Sequence, residues 1–265
     1  LIAIQPDPGT AIIFLAFLFP IFREGLNIKF LYHLAFIFFI LILSLSIGTY
    51  FTIVLFLALY ISYIVYETRS KRKIKISKFV LTIFLYTSLA LSTNYVFENV
   101  LEQRHRDRIN IILGKDFDTR GIGYNTNQSK IAIGSGGFAG IGFLKGTQTK
   151  GDFVPRQHTD YIFSTIGEEW GFLGSSFIIF LFCYLIVRVI QRAEKQHIHY
   201  RRVYCYCFAS LLFMHFFINI GMSIGIIPTI GIPLPYVSYG GSSFLSFSIM
   251  FFIYLNFDSS RLKES

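Results

Sequence analysis

Asp160 has the residue type and the position of a general base. It ends a polar segment, residues 98–160, and stands directly before an apolar run that starts near residue 162. A positioned carboxylate can take the proton of an attacking hydroxyl group, and an ionisable group at the membrane end of a helix is costly unless it is solvated or used. Thr159 and Asp160 are also good helix N-caps. The residues alone leave the two roles, base and cap, equally favoured.

Other polar residues near Asp160 have different expected roles. No serine has the context of a nucleophile elbow, so a hydrolytic triad with His158 is not indicated; we predict that His158 orients the loop or a substrate. Glu168 lies about 12 Å further along the helix and Glu169 points to a different side. We predict that both carboxylates bond to polar groups on neighbouring helices, with a direct role in the site as the alternative.

The middle of the polar segment, residues 121–143, alternates apolar residues with glycines and small polar groups. Such a stretch can lie in a membrane interface or re-enter the membrane against other helices. Residues 134–139, GSGGFA, are only weakly similar to a phosphate-binding loop, because no strand precedes them and no Gly-Lys-Ser/Thr follows. Close packing of backbones is the favoured interpretation of these glycines.

The elements that must position these residues are membrane helices. The chain is 53% hydrophobic and 18% aromatic but only 15% charged, which is outside the range of water-soluble domains. A hydrocarbon core about 30 Å thick needs about 20 apolar residues per helix. Four stretches without any Asp, Glu, Lys or Arg satisfy this requirement, namely residues 30–66, 79–97, 170–187 and 203–257.

We predict seven membrane spans. The run 30–66 is long enough for two helices with a turn near Gly48, and the run 203–257 holds two that are separated by the Gly/Pro-rich stretch 225–235. The first span is short and contains Pro20. The remaining single spans complete the set: residues 11–22, 79–97 and 162–187.

Orientation follows from the distribution of Lys and Arg in short loops. Fifteen of the 24 basic residues lie in residues 23–29, 67–78, 188–202 and the tail after residue 257, whereas the short loops on the other side hold none. We therefore place the basic loops in the cytoplasm and residues 98–160 outside. The net charge of +9 is then explained by topology and by contact with anionic lipid, and it calls for no nucleic-acid partner.

Several motifs occur in an order that resembles the SEDS family, the RodA/FtsW glycosyltransferases. Residues 5–10 read QPDPGT, residues 128–137 read QSKIAIGSGG and residues 146–148 read GTQ. Residues 158–160 form an HTD motif, and residues 233–243 read PLPYVSYGGSS before the last helix. Together these motifs cover nearly the whole chain.

The resemblance implies an all-α polytopic membrane enzyme that polymerises lipid II, the undecaprenyl-pyrophosphate-linked disaccharide peptide, on the outer face of the bacterial cytoplasmic membrane. Asp160 would be its general base, and the elongation branch, RodA, is favoured over the division branch. The family fold has about ten helices, each long enough to span a bilayer. Residues 1–265 would be one domain truncated at its N-terminus, with residues 98–160 as its extracytoplasmic loop, and this chain alone would be inactive.

The resemblance also suggests which residues bind substrate. Arg104 and Arg108 are candidates for the pyrophosphate, with interfacial snorkelling as the alternative. Lys130 and Lys145 are weaker candidates of the same kind. A divalent cation, Mg or Mn, near the pyrophosphate is chemically reasonable, although no tight His/Cys ligand set indicates a metal site. The other candidate residues are His158, Thr159, Gln128, Ser129, Ser242 and Ser243 for substrate, with Asp7, Glu168 and Glu169 as supporting groups.

Two departures from the family pattern bear on the site. Pro8 replaces a leucine in the first motif, and Arg156 stands where an acidic residue is common, so the electrostatic field near Asp160 would differ. The pair of spans in residues 30–66 is interpreted as an additional helical hairpin. The family implies a class B penicillin-binding protein as partner, together with other elongation or division proteins. A lipid II flippase and a non-catalytic scaffold for a transpeptidase are the alternative functions.

Overall fold

The chain is all-helical over the residues that its structure, a computed structural model, describes: 8–69, 76–113, 123–151 and 153–264. Asp7 lies outside these residues, and so does the side chain of Arg104. The helices in the described part of the chain are α1 (Pro8–Phe14), α2 (Leu18–Arg23), α3 (Ile28–Ile47), α4 (Thr49–Arg69), α5 (Ile76–Tyr95), α6 (Gln103–Ile112), α7 (Tyr124–Ser135), α8 (Thr147–Lys150), α9 (Ile162–Glu194), α10 (His199–Ser223) and α11 (Gly241–Glu264).

These helices form two compact units. One unit contains α3 to α6, and the other contains α1, α2 and α7 to α11. The second of these, the α9–α10 unit, carries Asp160 and most of the candidate site residues. The sequence predicted a single domain over residues 1–265, and the two units are described separately below.

The predicted hairpin in residues 30–66 is confirmed as α3 and α4. Asn27 caps α3 by accepting a hydrogen bond of 3.0 Å from the backbone N–H of Lys29. The helix ends at Ile47, and Gly48 has a φ of +104°, a conformation that side chains rarely adopt. Edge-to-face ring contacts from Phe36 then bind α3 to both α4 and α5, with its partners Phe56 and Tyr86 at centroid distances of 5.3 and 5.0 Å.

Three helices among the described residues are long and apolar enough to cross a membrane: Ile28–Ile47, Ile162–Glu194 and His199–Ser223. Ala11–Arg23 and Thr49–Ser62 are shorter apolar helices. The protein is therefore a multi-pass membrane protein. Helices occur at each of the seven predicted places, but the number of spans stays a prediction.

The first predicted span is interrupted, but not at its proline. A 3₁₀ turn, Leu15–Phe17, separates α1 from α2, and Pro20 lies in the first turn of α2. A first-turn residue needs no intrahelical partner for its N–H, so a proline is tolerated there. The tighter 3₁₀ turn before it connects α1 to α2.

The core of the α9–α10 unit lies where α9, α10 and α11 meet. Ile186 and Val189 of α9 pack with Phe208 and Leu212 of α10 and with Tyr254 of α11, all of them buried. Near the other end of α10, Phe216 stacks on Phe182 of α9 at a centroid distance of 5.2 Å. These contacts make α10 a fixed support for the loops that follow and precede it.

Helix α9 is broken at Gly171, which has a φ of +62° and a ψ of −157°. The break frees backbone groups of α9, and the glycine-rich segment 137–142 bonds to them. The backbone carbonyls of Glu168 and Glu169 accept hydrogen bonds of 3.0 Å from the N–H groups of residues 141 and 142. The N–H groups of residues 172 and 173 donate to the carbonyls of residues 137 and 138. We call this pairing the glycine seam. Residues 172–194, about 35 Å long, still suffice to span a bilayer.

Close backbone packing is confirmed for some of the glycines but not for Gly134 and Gly137, where a Cβ would meet no described atom within 4 Å. A side chain at Gly136 or Gly140 would overlap the backbone of α9, and one at Gly171 would overlap the backbone of residues 139 and 140. Gly167 faces Ile133 of α7 at similarly short range. Residues 134–139 therefore meet α9 at Gly136 and through the carbonyls of residues 137 and 138.

Two ion pairs fasten α2 to the far ends of α9 and α10. Arg23 donates three hydrogen bonds of 2.7–3.0 Å to the carboxylate of Glu194. Arg202 donates two bonds of 3.0 Å to Glu24, and His199 lies 2.8 Å from the same carboxylate. The hydrogen bond from Arg202 lowers the pKa of Glu24. Since these groups are partly exposed, each pair contributes little to stability.

Candidate active site

Asp160 lies in a tight turn that Arg156 organises. Arg156 has a φ of +57°, unusual for a residue with a side chain. Its carbonyl oxygen accepts hydrogen bonds from the N–H groups of Thr159 and Asp160, both at 3.1 Å, and from Tyr161 at 3.3 Å. Three donors converging on one carbonyl close the chain into a compact loop before α9 begins. This loop, residues 156–161, is called the HTD loop below.

The carboxylate of Asp160 does not cap α9. The N-cap residue of α9 is Tyr161, without a side-chain capping bond, and the hydroxyl of Thr159 points back to the carbonyl of Arg156 at 3.3 Å. The Asp160 side chain is 12% exposed, and its Oδ2 lies 3.5 Å from Nη1 of Arg156, a largely exposed guanidinium. The capping alternative is therefore wrong, and the carboxylate makes no bond to the start of α9.

A second loop, residues 225–240, holds the HTD loop by its backbone. Tyr239 donates its N–H to the carbonyl of His158 at 2.8 Å. The hydroxyl of Ser238 donates to the carbonyl of Thr159 at 2.6 Å and accepts the N–H of Leu234 at 2.8 Å. The two motifs HTD and PLPYVSYGGSS, 79 residues apart at the Ser238–Thr159 bond, thus form one structure.

Asn219 of α10 forms hydrogen bonds with both of these loops. It is fully buried, and its side-chain amide donates to the carbonyls of Asp160 at 2.9 Å and Ile232 at 2.8 Å. Gly231, with a φ of +81°, lies beside the carboxylate, because a Cβ there would be 3.5 Å from Oδ2 of Asp160. A glycine at this position keeps the space next to the carboxylate open.

Helix α7 closes another side of the site through a cluster of hydroxyl groups. The buried phenol of Tyr161 lies 2.7 Å from the hydroxyl of Thr229 and 3.2 Å from that of Thr126. Ser129, also fully buried, donates to the carbonyl of Ser223 at 2.8 Å. Helix α7 therefore packs onto both the HTD loop and the end of α10.

The sequence of residues 49–263 matches the FTSW_RODA_SPOVE family, whose members are described as cell cycle proteins. The chain belongs to this family. It is the SEDS family that the motifs resemble, and the match extends over the HTD loop and its supports.

Relatives of known name support the assignment to the SEDS family. Peptidoglycan glycosyltransferase MrdB of Escherichia coli strain K12 is 40% identical over 162 residues, which are 61% of this chain and 44% of MrdB. Peptidoglycan glycosyltransferase RodA of Treponema pallidum is 36% identical over 156 residues, 59% of this chain and 36% of that protein. A probable FtsW of Enterococcus hirae is 34% identical over 66% of this chain and 44% of its own length. The chain spans less than half the length of these relatives.

A solved structure is also similar. It belongs to work described as "Structural coordination of polymerization and crosslinking by a peptidoglycan synthase complex". The TM-score is 0.51 at 27% sequence identity, and the match covers 68% of this chain and 49% of that chain. The all-helical fold of this SEDS chain is thus shared with a solved relative.

The basic residues predicted to bind pyrophosphate fall in both compact units of the SEDS chain. Lys130 of α7 lies against Gly225, at the start of the loop 225–240. Lys145 is exposed and packs against Gly142 of the glycine seam. Arg104 and the half-buried Arg108 belong to α6, in the other unit. Their role in binding stays a prediction.

The remaining candidate residues for substrate binding differ in exposure and position. His158 is exposed and Gln128 is half-buried, whereas Ser242 and Ser243 lie in the first turn of α11. The buried hydroxyl of Ser129 is engaged in helix packing, as described above. Among the described residues, no group of three or more His, Cys, Asp or Glu side chains converges as a metal site. The substrate and cation assignments stay predictions.

Glu168 supports the neighbouring α8, as predicted for a buried carboxylate. It is fully buried, and its two oxygens accept the N–H groups of Gln148 and Thr149 at 2.8 and 2.9 Å. Gly146 is required next to it, because a Cβ there would lie 2.6 Å from Oε2. The GTQ motif, residues 146–148, therefore owes its conformation to a carboxylate of α9.

We expect Glu168→Gln to destabilise the protein by about 1–3 kcal/mol, because one acceptor oxygen is replaced by an amide donor that faces a backbone N–H. Thermal unfolding in detergent would measure the change. Glu169→Gln is the matched control: this neighbouring carboxylate is also buried but does not make the two bonds to α8. Equal effects of the two substitutions would contradict the supporting role of Glu168.

Sequence reasoning missed Asn219, Gly231, Thr229 and Ser238. Asn219 carried a signal, because an amide inside an apolar span is expected to bond to another helix or loop. Its partners could not be read from the sequence, since Asp160 lies 59 residues away.

Proposed function

We propose that this protein is a peptidoglycan glycosyltransferase that polymerises lipid II, with Asp160 as the general base. The observation that carries the proposal is the carboxylate of Asp160, which no helix uses as a cap and which two loops and α10 hold in place. Membership in the SEDS family and the names of its relatives support the choice of substrate. Because the chain spans less than half of those relatives, the activity is proposed for the complete gene product.

The proposed step joins two sugars. The acceptor 4-hydroxyl attacks the anomeric carbon of the donor, a C–O bond to the pyrophosphate breaks, and the hydroxyl proton passes to the carboxylate of Asp160. General base catalysis of this kind contributes about 10²–10⁴-fold. The guanidinium of Arg156 lies 3.5 Å from this carboxylate.

The leaving pyrophosphate needs positive partners. We propose Arg104, Arg108, Lys130 and Lys145 for this role, and a divalent cation, Mg²⁺ or Mn²⁺, as an additional one. The distribution of basic loops supports an active site on the outer face of the cytoplasmic membrane.

A class B penicillin-binding protein is the proposed partner, with other elongation proteins. The solved relative is described as a complex that couples polymerization to crosslinking, which supports a transpeptidase beside this chain. The elongation branch is proposed on the full QSKIAIGSGG and GTQ motifs. Sequence identity does not separate the branches, since a RodA is 36% identical and two probable FtsW proteins are 34% and 41% identical.

The test is the conversion of purified lipid II by the complete gene product in proteoliposomes, with its partner added. We expect glycan strands, resolved by gel electrophoresis, and their digestion to disaccharides by a muramidase. A parallel assay follows the movement of labelled lipid II between leaflets. Transport without polymer would instead indicate a flippase, and the absence of both activities while a partner transpeptidase is stimulated would indicate a scaffold.

A further inference from the structure

Both N–H donors of the Asn219 side-chain amide are hydrogen-bonded. Its nitrogen carries two hydrogens, and each has an acceptor, the carbonyl of Asp160 at 2.9 Å and the carbonyl of Ile232 at 2.8 Å. The amide group is planar, so the directions of its two N–H bonds are fixed relative to each other. One rigid group on α10 therefore sets the distance between two loops.

The two carbonyls belong to the parts of the site that face each other. One is the carbonyl of the proposed base itself. The other belongs to Ile232. Its neighbour Gly231 borders the carboxylate of Asp160, because a Cβ added at Gly231 would lie 3.5 Å from Oδ2. A shift of Asn219 would move the base and the opposite wall of the space beside it.

The acceptor side of the same amide is unsatisfied. Among the described residues, Oδ1 of Asn219 is buried and has no hydrogen-bond partner, which is unfavourable for folding. Buried polar atoms in native proteins are normally paired. The unpaired oxygen makes Asn219 a poor choice for stability alone. An asparagine is explained if its two coplanar N–H donors are what this position requires.

We infer that Asn219 is a positioning residue for Asp160. It fixes the main chain at Asp160 and thereby the direction of the carboxylate, which lies beside Gly231. The inference rests on the proposed function for its catalytic meaning. Asn219 acts through Asp160 and touches no reacting atom.

The first test replaces the donors without changing the shape, by Asn219→Asp. Displacement of a catalytic group by about 1 Å can cost about 10²-fold in rate, so we expect kcat for lipid II polymerisation to fall about 10- to 100-fold while KM stays within about 3-fold. Ser210→Ala is the control, since Ser210 is another buried polar residue of α10. Its kcat per folded molecule should remain close to that of the wild type.

A double substitution separates positioning from general damage to the fold. If Asn219 acts through Asp160, Asn219→Asp should cause no further loss in the background of Asp160→Ala, since groups that act as a unit are not additive. Losses that multiply in the double variant, or a wild-type kcat in folded Asn219→Asp, would overturn the inference.

A measurement without substrate keeps the inference distinct from the proposed function. Hydrogen–deuterium exchange of residues 156–161 should accelerate in Asn219→Asp but not in Ser210→Ala. If Asp160→Ala polymerised lipid II normally, the proposed function would fail while this exchange result could still stand. Unchanged exchange in Asn219→Asp would reject the positioning role, whatever the activity of Asp160 variants.

Discussion

Asp160→Asn is expected to lower the rate of glycan polymerisation by about 10³-fold. The carboxamide has nearly the shape of the carboxylate but cannot accept the hydroxyl proton, and removal of a general base typically costs about 10²–10⁴-fold. Stability should change by no more than about 1 kcal/mol, because the carboxylate caps no helix and its ion pair reaches an exposed guanidinium. Initial rates with purified lipid II and a thermal unfolding curve measure the two quantities.

Arg156→Gln is the companion variant to Asp160→Asn. It removes the charge that lies 3.5 Å from the carboxylate but leaves the base in place, so its effect on the rate should be much smaller. The backbone bonds that Arg156 accepts do not depend on its guanidinium. If folded Asp160→Asn produced glycan strands at the wild-type rate, Asp160 would not be the base.

The largest effect on stability is expected from Gly136→Ala. A Cβ at this position would overlap the carbonyl oxygen of Gly167 and lie 2.9 Å from the carbonyl oxygen of Glu168. Both are backbone atoms of α9 and cannot move aside as a flexible side chain does. We expect a loss of about 3 kcal/mol or more, the upper end of the range for overpacking, seen as a lower unfolding temperature in detergent.

Gly134→Ala provides the control within the same motif. No described atom lies within 4 Å of a Cβ at Gly134, and the residue lies within α7. We expect alanine to be tolerated there and to stabilise the helix by about 0.5–1 kcal/mol. Similar losses at the two glycines would show that the contact of Gly136 with α9 does not determine the stability of this region.

The positions of the helices could be predicted from the sequence because the bilayer imposes them. Apolar length alone located α3 and α4, and the turn between them was marked by Gly48, whose φ is +104°. The break of the first span was harder to place. The span is short and contains Pro20, yet the interruption is the 3₁₀ turn at Leu15–Phe17, because a proline in a first helical turn causes no loss of a hydrogen bond.

The site was predictable where its chemistry is local. Asp160 stood out as a charge directly before an apolar run, and Glu168 as a carboxylate too buried to lack partners. What surrounds them was not predictable, since Asn219 and Ser238 meet the HTD loop across 59 and 79 residues of sequence. No local pattern encodes contacts at that separation, and the kink of α9 at Gly171 depends on backbone partners supplied by another segment.

On the predicted topology, Arg23 and Arg202 have one role during membrane insertion and another in the folded protein. While the chain enters the membrane, orientation depends on Lys and Arg, and acidic residues count for little. Both arginines then help to retain their loops on the predicted cytoplasmic side, regardless of the glutamates nearby. Once the helices have assembled, Glu194 and Glu24 bind the same guanidinium groups. The groups that orient the chain during insertion thus later hold α2 against α9 and α10.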